Sequence, residues 1–377
     1  VIENNFHLEH LLTKQTKNDL LEICRSLDIK GVSSLRKPKL ISVLSKQIPE
    51  KVAVKMHFWD QHIYELMQYC CTSQQPYYLY LDDDDLSIDY LLGESIAFQS
   101  MDASGEYLVI PQEIQKLFLE IDGDEYRKAI MMNTIIARLA KGLLHYYGCL
   151  SLDSLAKFVN RLLGEPQEPH RIWSTLWEVG LYNWDIVFNR GYFSDDRVTD
   201  LDYFFTQLQT RKSLDYRPVS YGEVWQAGDP NFVHDQAEEV QGLVLLLEEK
   251  GLSEFTRYFL DLIFGLVQTE LSPPEVVFAL AEHLEIDSEA DITELALLVF
   301  DYYHHVPHWV LKGHSPNEIM DHAPHQLPIM ETNFNSKQQM GVVYDFATGK
   351  RMNQDAMCPC GSKRKFKHCC GLKVVSS

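Results

Sequence analysis

The chain has 377 residues, 45% of them hydrophobic, which is enough apolar side chain for two to four domain cores. It holds no run of about 18 apolar residues that would span a bilayer, and its first residues lack the charged start and apolar stretch of a secretory signal. The net charge of −20 is unevenly spread, with about +6 on residues 11–55, about +6 on residues 348–377 and about −30 on residues 56–347, so phosphates and anionic membrane surfaces are expected to meet only the two ends.

In the first 55 residues the pattern predicts two short helices joined by an extended segment. Thr16 and Asp19 stand at capping-box spacing, each placed to take one orphan amide at a helix start. Leu20, Leu21, Cys24 and Leu27 follow at helical intervals, and Gly31 ends the turn after Ile29. A second helix is expected after Ser33-Ser34, with Pro38 tolerated near its start and Leu40, Ile41, Leu44 and Ile48 as its apolar stripe. The run from Leu12 to Ile41 resembles the helix-extension-helix modules of the SAP and Rho N-terminal type. That resemblance implies nucleic-acid contact through Lys30, Arg36, Lys37 and Lys39, near a helix N-terminus that itself favours phosphate. The alternative is a solvated basic face on a hairpin that caps the body. Between Leu8 and Met56 there is no Trp, Tyr or Phe, which argues against stacking on single-stranded bases.

Residues 56–199 read as a mixed α/β region. A helix is expected from about Trp59 to Tyr69, then an aromatic strand or buried helix start at Tyr77 to Leu81. Asp82 to Asp85 follow as a solvated turn, because the spacing and glycine of a calcium loop are missing. Ser95 to Gln99 and Glu106 to Ile110 predict a β-hairpin, and Pro111 opens a helix with Ile114, Leu117 and Phe118 inward. One long helix is expected over 126–147, closed by Gly148. Ser151 caps the next, with Leu155, Phe158, Val159 and Leu162 inside; a third runs from about Pro169 to Val179; and a hairpin turns at Asn189-Arg190-Gly191. That order is winged-helix-like. The third helix offers His170 and Arg171, then Trp173, Trp177 and Glu178, a face better suited to packing or protein contact than to DNA.

Residues 200–322 read as a helical domain that opens with a loop-rich connection over 200–235. Helices are expected near 236–250, 253–268, 273–284 and 291–305, the third marked by Ser272 before Pro273 and the last by an Asp291-Ile292-Thr293-Glu294 box. His304, His305, His308, His314, His322 and His325 lack the spacing of a metal site on one helix, so a polar helix end and a loop are expected. Residues 323–357 read as a polar linker.

The last informative block is Cys358-Pro359-Cys360, then the eight residues Gly361 to His368, then Cys369-Cys370. Four thiols so spaced match a closed tetrahedral Zn2+ site with Cys358, Cys360, Cys369 and Cys370 as ligands. Four thiolates leave no position for a catalytic water, so the metal reads as structural. His368 is an alternative fourth ligand. Lys363, Arg364, Lys365 and Lys367 surround the centre. This block resembles the SEC-C motif, known from the C-terminus of the translocase ATPase of bacterial protein secretion. Lys363 stands where that motif has a second glycine, and Ala356-Met357 replace its usual Asp-Pro lead-in. The resemblance implies a module of 358–371 that binds proteins or ribosomes. The segment Pro307 to Glu318 also resembles one found in other SEC-C-containing proteins.

The remaining cysteines, Cys24, Cys70, Cys71 and Cys149, lie among apolar residues and read as buried hydrophobes. Eight cysteines with four in a zinc pattern suit a reducing, cytoplasmic setting. No phosphate loop, dinucleotide fingerprint or nucleophile elbow occurs, which argues against an enzyme. The expected protein is thus mainly α with small β-hairpins, a bacterial zinc-binding adaptor or regulator that docks a protein partner through its tail. The competing expectation is a nucleic-acid or ribosome binder that uses both basic ends.

Overall fold

The computed structural model of the chain describes residues 6–73, 77–79, 86–183, 185–230, 232, 238–269, 271–284, 286, 288–320, 343–344 and 351–352. It is mainly helical, with two small three-stranded antiparallel sheets, and divides into two compact units. The first comprises Val1–Lys141 with Ser151–Phe193, the second Gly142–Leu150 with Ser194–Ser377.

The first unit opens with three helices, α1 (Leu8–Lys14), α2 (Lys17–Ser26) and α3 (Lys37–Met56), where two were expected. The Thr16 hydroxyl accepts from the Asp19 amide and the Asp19 carboxylate from the Thr16 amide, completing the capping box and holding the Asp19 carboxyl below its ordinary pKa. Leu40, Ile41, Leu44 and Ile48 are buried as expected, and the stripe continues through Val52 and Met56. α3 thus runs two turns past its expected end and through Pro49, whose ring removes one ladder hydrogen bond. Both α1 and α2 pack on α3.

Asp60 caps α4 (Gln61–Thr72) by accepting from the Ile63 amide at 3.2 Å. The strands β1 (Tyr77–Tyr78), β2 (Phe98–Asp102) and β3 (Gly105–Val109) form a sheet ordered β1-β3-β2, with Phe98 opposite Val109 and Asp102 opposite Gly105. The expected hairpin is therefore present, its first strand beginning three residues late. α5 (Leu86–Gly93) precedes it and α6 (Gln112–Ile121) follows, burying Ile114 and Phe118 while Leu117 stays half-buried. Asp82 to Asp85 lie outside the described residues.

α7 (Asp124–Tyr147), β4 (Cys149–Ser151), α8 (Leu152–Leu163), α9 (Pro169–Gly180), β5 (Ile186–Asn189) and β6 (Tyr192–Asp195) follow in the expected order, with strand order β4-β6-β5. Arg190 and Gly191 have φ of 50° and 87°, the positive pair that a two-residue turn needs to match strand twist. Leu155 and Val159 of α8 are buried, whereas Phe158 and Leu162 are only half-buried.

The second unit corrects the loop-rich expectation for 200–235. Asp200 caps α10 (Leu201–Thr210), and a Ser220–Glu223 capping box starts α11 (Tyr221–Ala227). Beyond them α12 (Glu238–Glu249), α13 (Thr256–Gln268), α14 (Pro273–His283) and α15 (Glu289–His305) share a core that includes Leu243, Ile263, Val267, Leu280, Val299 and Tyr302. α15 starts two residues before its expected box. Ser288 is its cap, accepting from the Asp291 amide, so Asp291 to Glu294 belong to the first turns. α16 (Pro316–Met320) packs against α15. Inside the stretch read as a linker, β7 (Val343–Tyr344) pairs antiparallel with β8 (Arg351–Met352).

Residues distant in sequence close this unit. Gly148 ends α7 at φ +70°, and a Cβ there would stand 2.6 Å from Cγ of Trp309. The Trp309 indole donates to the His145 carbonyl at 2.8 Å, the Lys312 ammonium to the Leu214 carbonyl, and the Tyr147 hydroxyl to the Arg217 carbonyl at 2.6 Å. Arg197 pairs with Asp195 and Asp261 and stacks its guanidinium over Phe264.

Candidate functional site

The four expected N-terminal cations do not form one free cluster. Lys30, Arg36 and Lys39 are exposed, whereas Lys37 is half-buried and its ammonium donates to the Thr13 carbonyl at 2.8 Å. That contact satisfies an orphan carbonyl in the last turn of α1, so Lys37 joins helices rather than waiting for a ligand. Lys30 lies 3.4 Å from Asp28, an exposed pair that solvent screens. Arg36 is the residue before the first turn of α3 and Lys39 lies within that turn, which leaves two exposed cations at the start of the helix.

A polar network that the motifs did not suggest lies inside the first unit. Lys55, near the end of α3, places its ammonium 3.0 Å from Glu178 of α9, and both side chains are largely buried. Glu94 Oε2 sits 3.4 Å from the same nitrogen without hydrogen-bond geometry. The Tyr90 hydroxyl donates to Glu178 at 2.8 Å and accepts from the Trp59 indole at 2.8 Å. Beside them the Tyr182 hydroxyl donates to Asp60 at 3.1 Å. Burial pushes the Glu178 carboxyl above its ordinary pKa in spite of Lys55, and burial also raises that of Asp60. Raised carboxyls are a mark of active sites and of buried ion-pair networks alike. Here each hydrogen-bonding partner belongs to a packed helix or its flank, so the arrangement fastens α3, α5 and α9 together. Only contacts between residues far apart in sequence could reveal it.

α9 carries the residues expected to make its face poor in phosphate contacts. Arg171 turns inward and donates to the Ala129 carbonyl and to Asn133. Trp173 and Trp177 stack at 5.4 Å, Phe188 packs edge-on against both, and Trp177 and Phe188 remain exposed.

The histidine run is corrected in part. His304 and His305 end α15 as expected, each ring donating through Nδ1 to a carbonyl of its own helix, that of Phe300 and of Asp301. His308, expected in a polar loop, is buried, and its Nε2 donates to the Tyr303 carbonyl at 2.8 Å. Burial brings its pKa down to about 4. Among the described residues no group of three or more His, Cys, Asp or Glu is placed to hold a metal; His322 and His325 lie outside them. Cys24 and Cys149 are buried and Cys70 and Cys71 half-buried. Burial pushes the last three up to about 12, so these thiols stay protonated and unreactive at neutral pH.

Cys358, Cys360, Cys369 and Cys370, with Lys363, Arg364, Lys365, Lys367 and His368, lie outside the described residues. The donor set itself is the test of fit. Four thiols within 13 residues, divided by a glycine-led basic loop, suit the soft tetrahedral demand of zinc and leave no ligand place empty. The SEC-C motif matches residues 356–372. It covers 17 of 377 residues and speaks for that block alone. No curated protein and no solved structure matches the chain. Among the described residues no helix is long and apolar enough to cross a membrane.

Proposed function

We propose that this chain is a bacterial cytoplasmic adaptor or regulatory protein whose zinc-stabilised SEC-C tail docks a protein partner. The motif match at 356–372, with all four cysteine places intact, is the observation that carries this reading. Cys358, Cys360, Cys369 and Cys370 would hold a structural Zn2+, which takes the place of the hydrophobic core so short a segment cannot build. Lys363, Arg364, Lys365 and Lys367 then stand on a fixed scaffold as the docking surface. In the body, the winged-helix-like order of α7 to β6 serves protein contact. Its support is the inward turn of Arg171 and the exposed Trp177 and Phe188, since exposed aromatic anchors suit a protein better than a phosphate backbone. Two weak contacts linked through one body give avidity that neither gives alone.

A second reading rests on Arg36 and Lys39, exposed beside the start of α3. In it the N-terminal helices are a SAP-like module, and both basic ends contact RNA, DNA or the ribosome. One experiment separates the readings. The intact chain and its Cys358→Ser/Cys360→Ser variant are loaded with zinc, assayed for bound metal, and used to capture partners from bacterial lysate with and without nuclease. The adaptor reading expects about one zinc per chain in the parent and none in the variant. It also expects a nuclease-resistant protein retained by the parent alone. Loss of everything to nuclease, with binding that falls steeply with salt and with Arg36→Glu/Lys39→Glu, moves the function to nucleic acid. Undiminished zinc in the variant removes the metal assignment.

A further inference from the structure

Residues 273–305, which build α14 and α15, hold eight Asp and Glu and no Lys or Arg. Their inner faces are spent on the core of the second unit. The outer faces are unusual for so acidic a hairpin. Leu297 and Phe300 are 70% and 55% exposed, and Phe278 of α14 is 68% exposed. Thr293, Leu297, Phe300 and His304 recur at helical spacing, so they form one stripe along α15, with the Phe300 and His304 rings 4.2 Å apart. Exposed Glu294 and Asp301 border one edge of that stripe, and Glu282 is exposed on α14. Scattered exposed apolar residues carry no message, but a stripe with a charged rim of one sign marks a contact surface.

Charge decides among the possible occupants. Nucleic acid and anionic lipid are repelled. A second copy in a two-fold contact would set the same acidic face against itself. A cationic segment bearing some apolar surface fits, and this chain carries one. Residues 348–377 have a net charge of about +6, and a thiolate-bound zinc would leave about +4; Phe366 stands among their lysines. The tether also suits. α16 packs on α15, with Asn317 Nδ2 3.0 Å from His305 Nε2, so the chain departs from the C-terminal end of the striped helix. The 22 residues from 321 to 342, which precede the β7–β8 hairpin, can span up to ~75 Å, whereas the 17 residues of α15 cover only ~26 Å.

We propose that the outer face of the α14–α15 hairpin is the resting dock of this chain's own basic C-terminal segment, residues 348–377. Tethering holds that segment at a local concentration in the millimolar range, which sustains even a weak contact. Where the tail acts as the docking surface proposed above, a partner must compete with this face, and the body then restrains the tail until a stronger ligand arrives.

The test couples amines directly to carboxylates with a carbodiimide in the intact zinc-loaded chain, and maps the joined peptides. Coupling of Lys363, Lys365 or Lys367 to Glu282, Glu294 or Asp301 within single chains is expected, falling about fivefold or more when salt shortens the Debye length to a few ångströms. Leu297→Ser/Phe300→Ser alters exposed side chains only, so circular dichroism should be unchanged while coupling drops by a similar factor. Coupling only between chains makes the face a self-association surface and overturns the proposal. So does coupling that ignores the double variant, or tail lysines joined elsewhere. None of these outcomes depends on capturing a partner, so the contact and the adaptor reading stand or fall separately.

Discussion

His308 illustrates what a single side chain contributes and how little its sequence neighbours reveal. Pro307 before it and Gly313 beyond it suggest a solvated loop, yet the ring is buried against Tyr303 and donates to that residue's carbonyl. Burial lowers its pKa from 6.5 to about 4, so the stabilisation is complete above pH 6.5 and is lost as pH falls toward 4. At pH 5 the expected loss is about 2 kcal/mol relative to pH 7. Urea unfolding at the two pH values should show it, and His308→Gln, which keeps a donor for Tyr303, should lose about that much of the difference. Lys55 makes the complementary case. Its chain position in an exposed-looking basic module gives no hint that Glu178 lies against it. Lys55→Ala leaves Glu178 and Glu94 facing each other without their cation, and should cost about 3 kcal/mol in urea unfolding at neutral pH. Pairing it with Glu178→Gln should restore a good part of that.

Elements were legible where the decisive chemistry is local. The Thr16–Asp19 box, the Ser151 cap, the Arg190-Gly191 turn and the glycine that closes α7 each act within a few residues, and each is found where the pattern places it. The misses have local causes too. α1 and α11 have seven residues each, too few for a periodic stripe to show, and α10 lies amid Asp, Gly and Pro punctuation that suggests a loop. Two overlapping cap signals mark the start of α15, and the upstream Ser288 is the one that functions. Gly148 carries two duties at once, the left-handed turn and room for Trp309. Gly148→Ala should therefore cost roughly 2–4 kcal/mol, more than backbone strain alone, readable as a lower urea midpoint and quenching of the buried indole's blue-shifted emission.

For the whole molecule, composition separated an acidic body from two basic ends, and that division organises both proposed contacts. The SEC-C block was legible from four cysteine positions, and the motif matches at 356–372; no comparable cluster of ligand residues occurs among the described residues. Metal and helical body should accordingly come apart. Chelation is expected to release the zinc while leaving the far-ultraviolet circular dichroism and the urea midpoint nearly unchanged; a large loss of helix would mean that the metal supports more than the tail.

The closure of the second unit by Trp309, Lys312 and Arg217 bears on how the protein is made. A ribosome releases the chain from its first residue onward. Residues 142–150 emerge more than 150 positions before the indole that binds the His145 carbonyl and covers Gly148. Until then His145 and Phe264, stacked at 4.6 Å in the finished unit, lack that cover. The first unit has its entire sequence out by Phe193 and can complete its fold while the ribosome is still translating. The second leaves the His145–Phe264 stack without its indole cover until Trp309 has been made, so its closure comes late in synthesis.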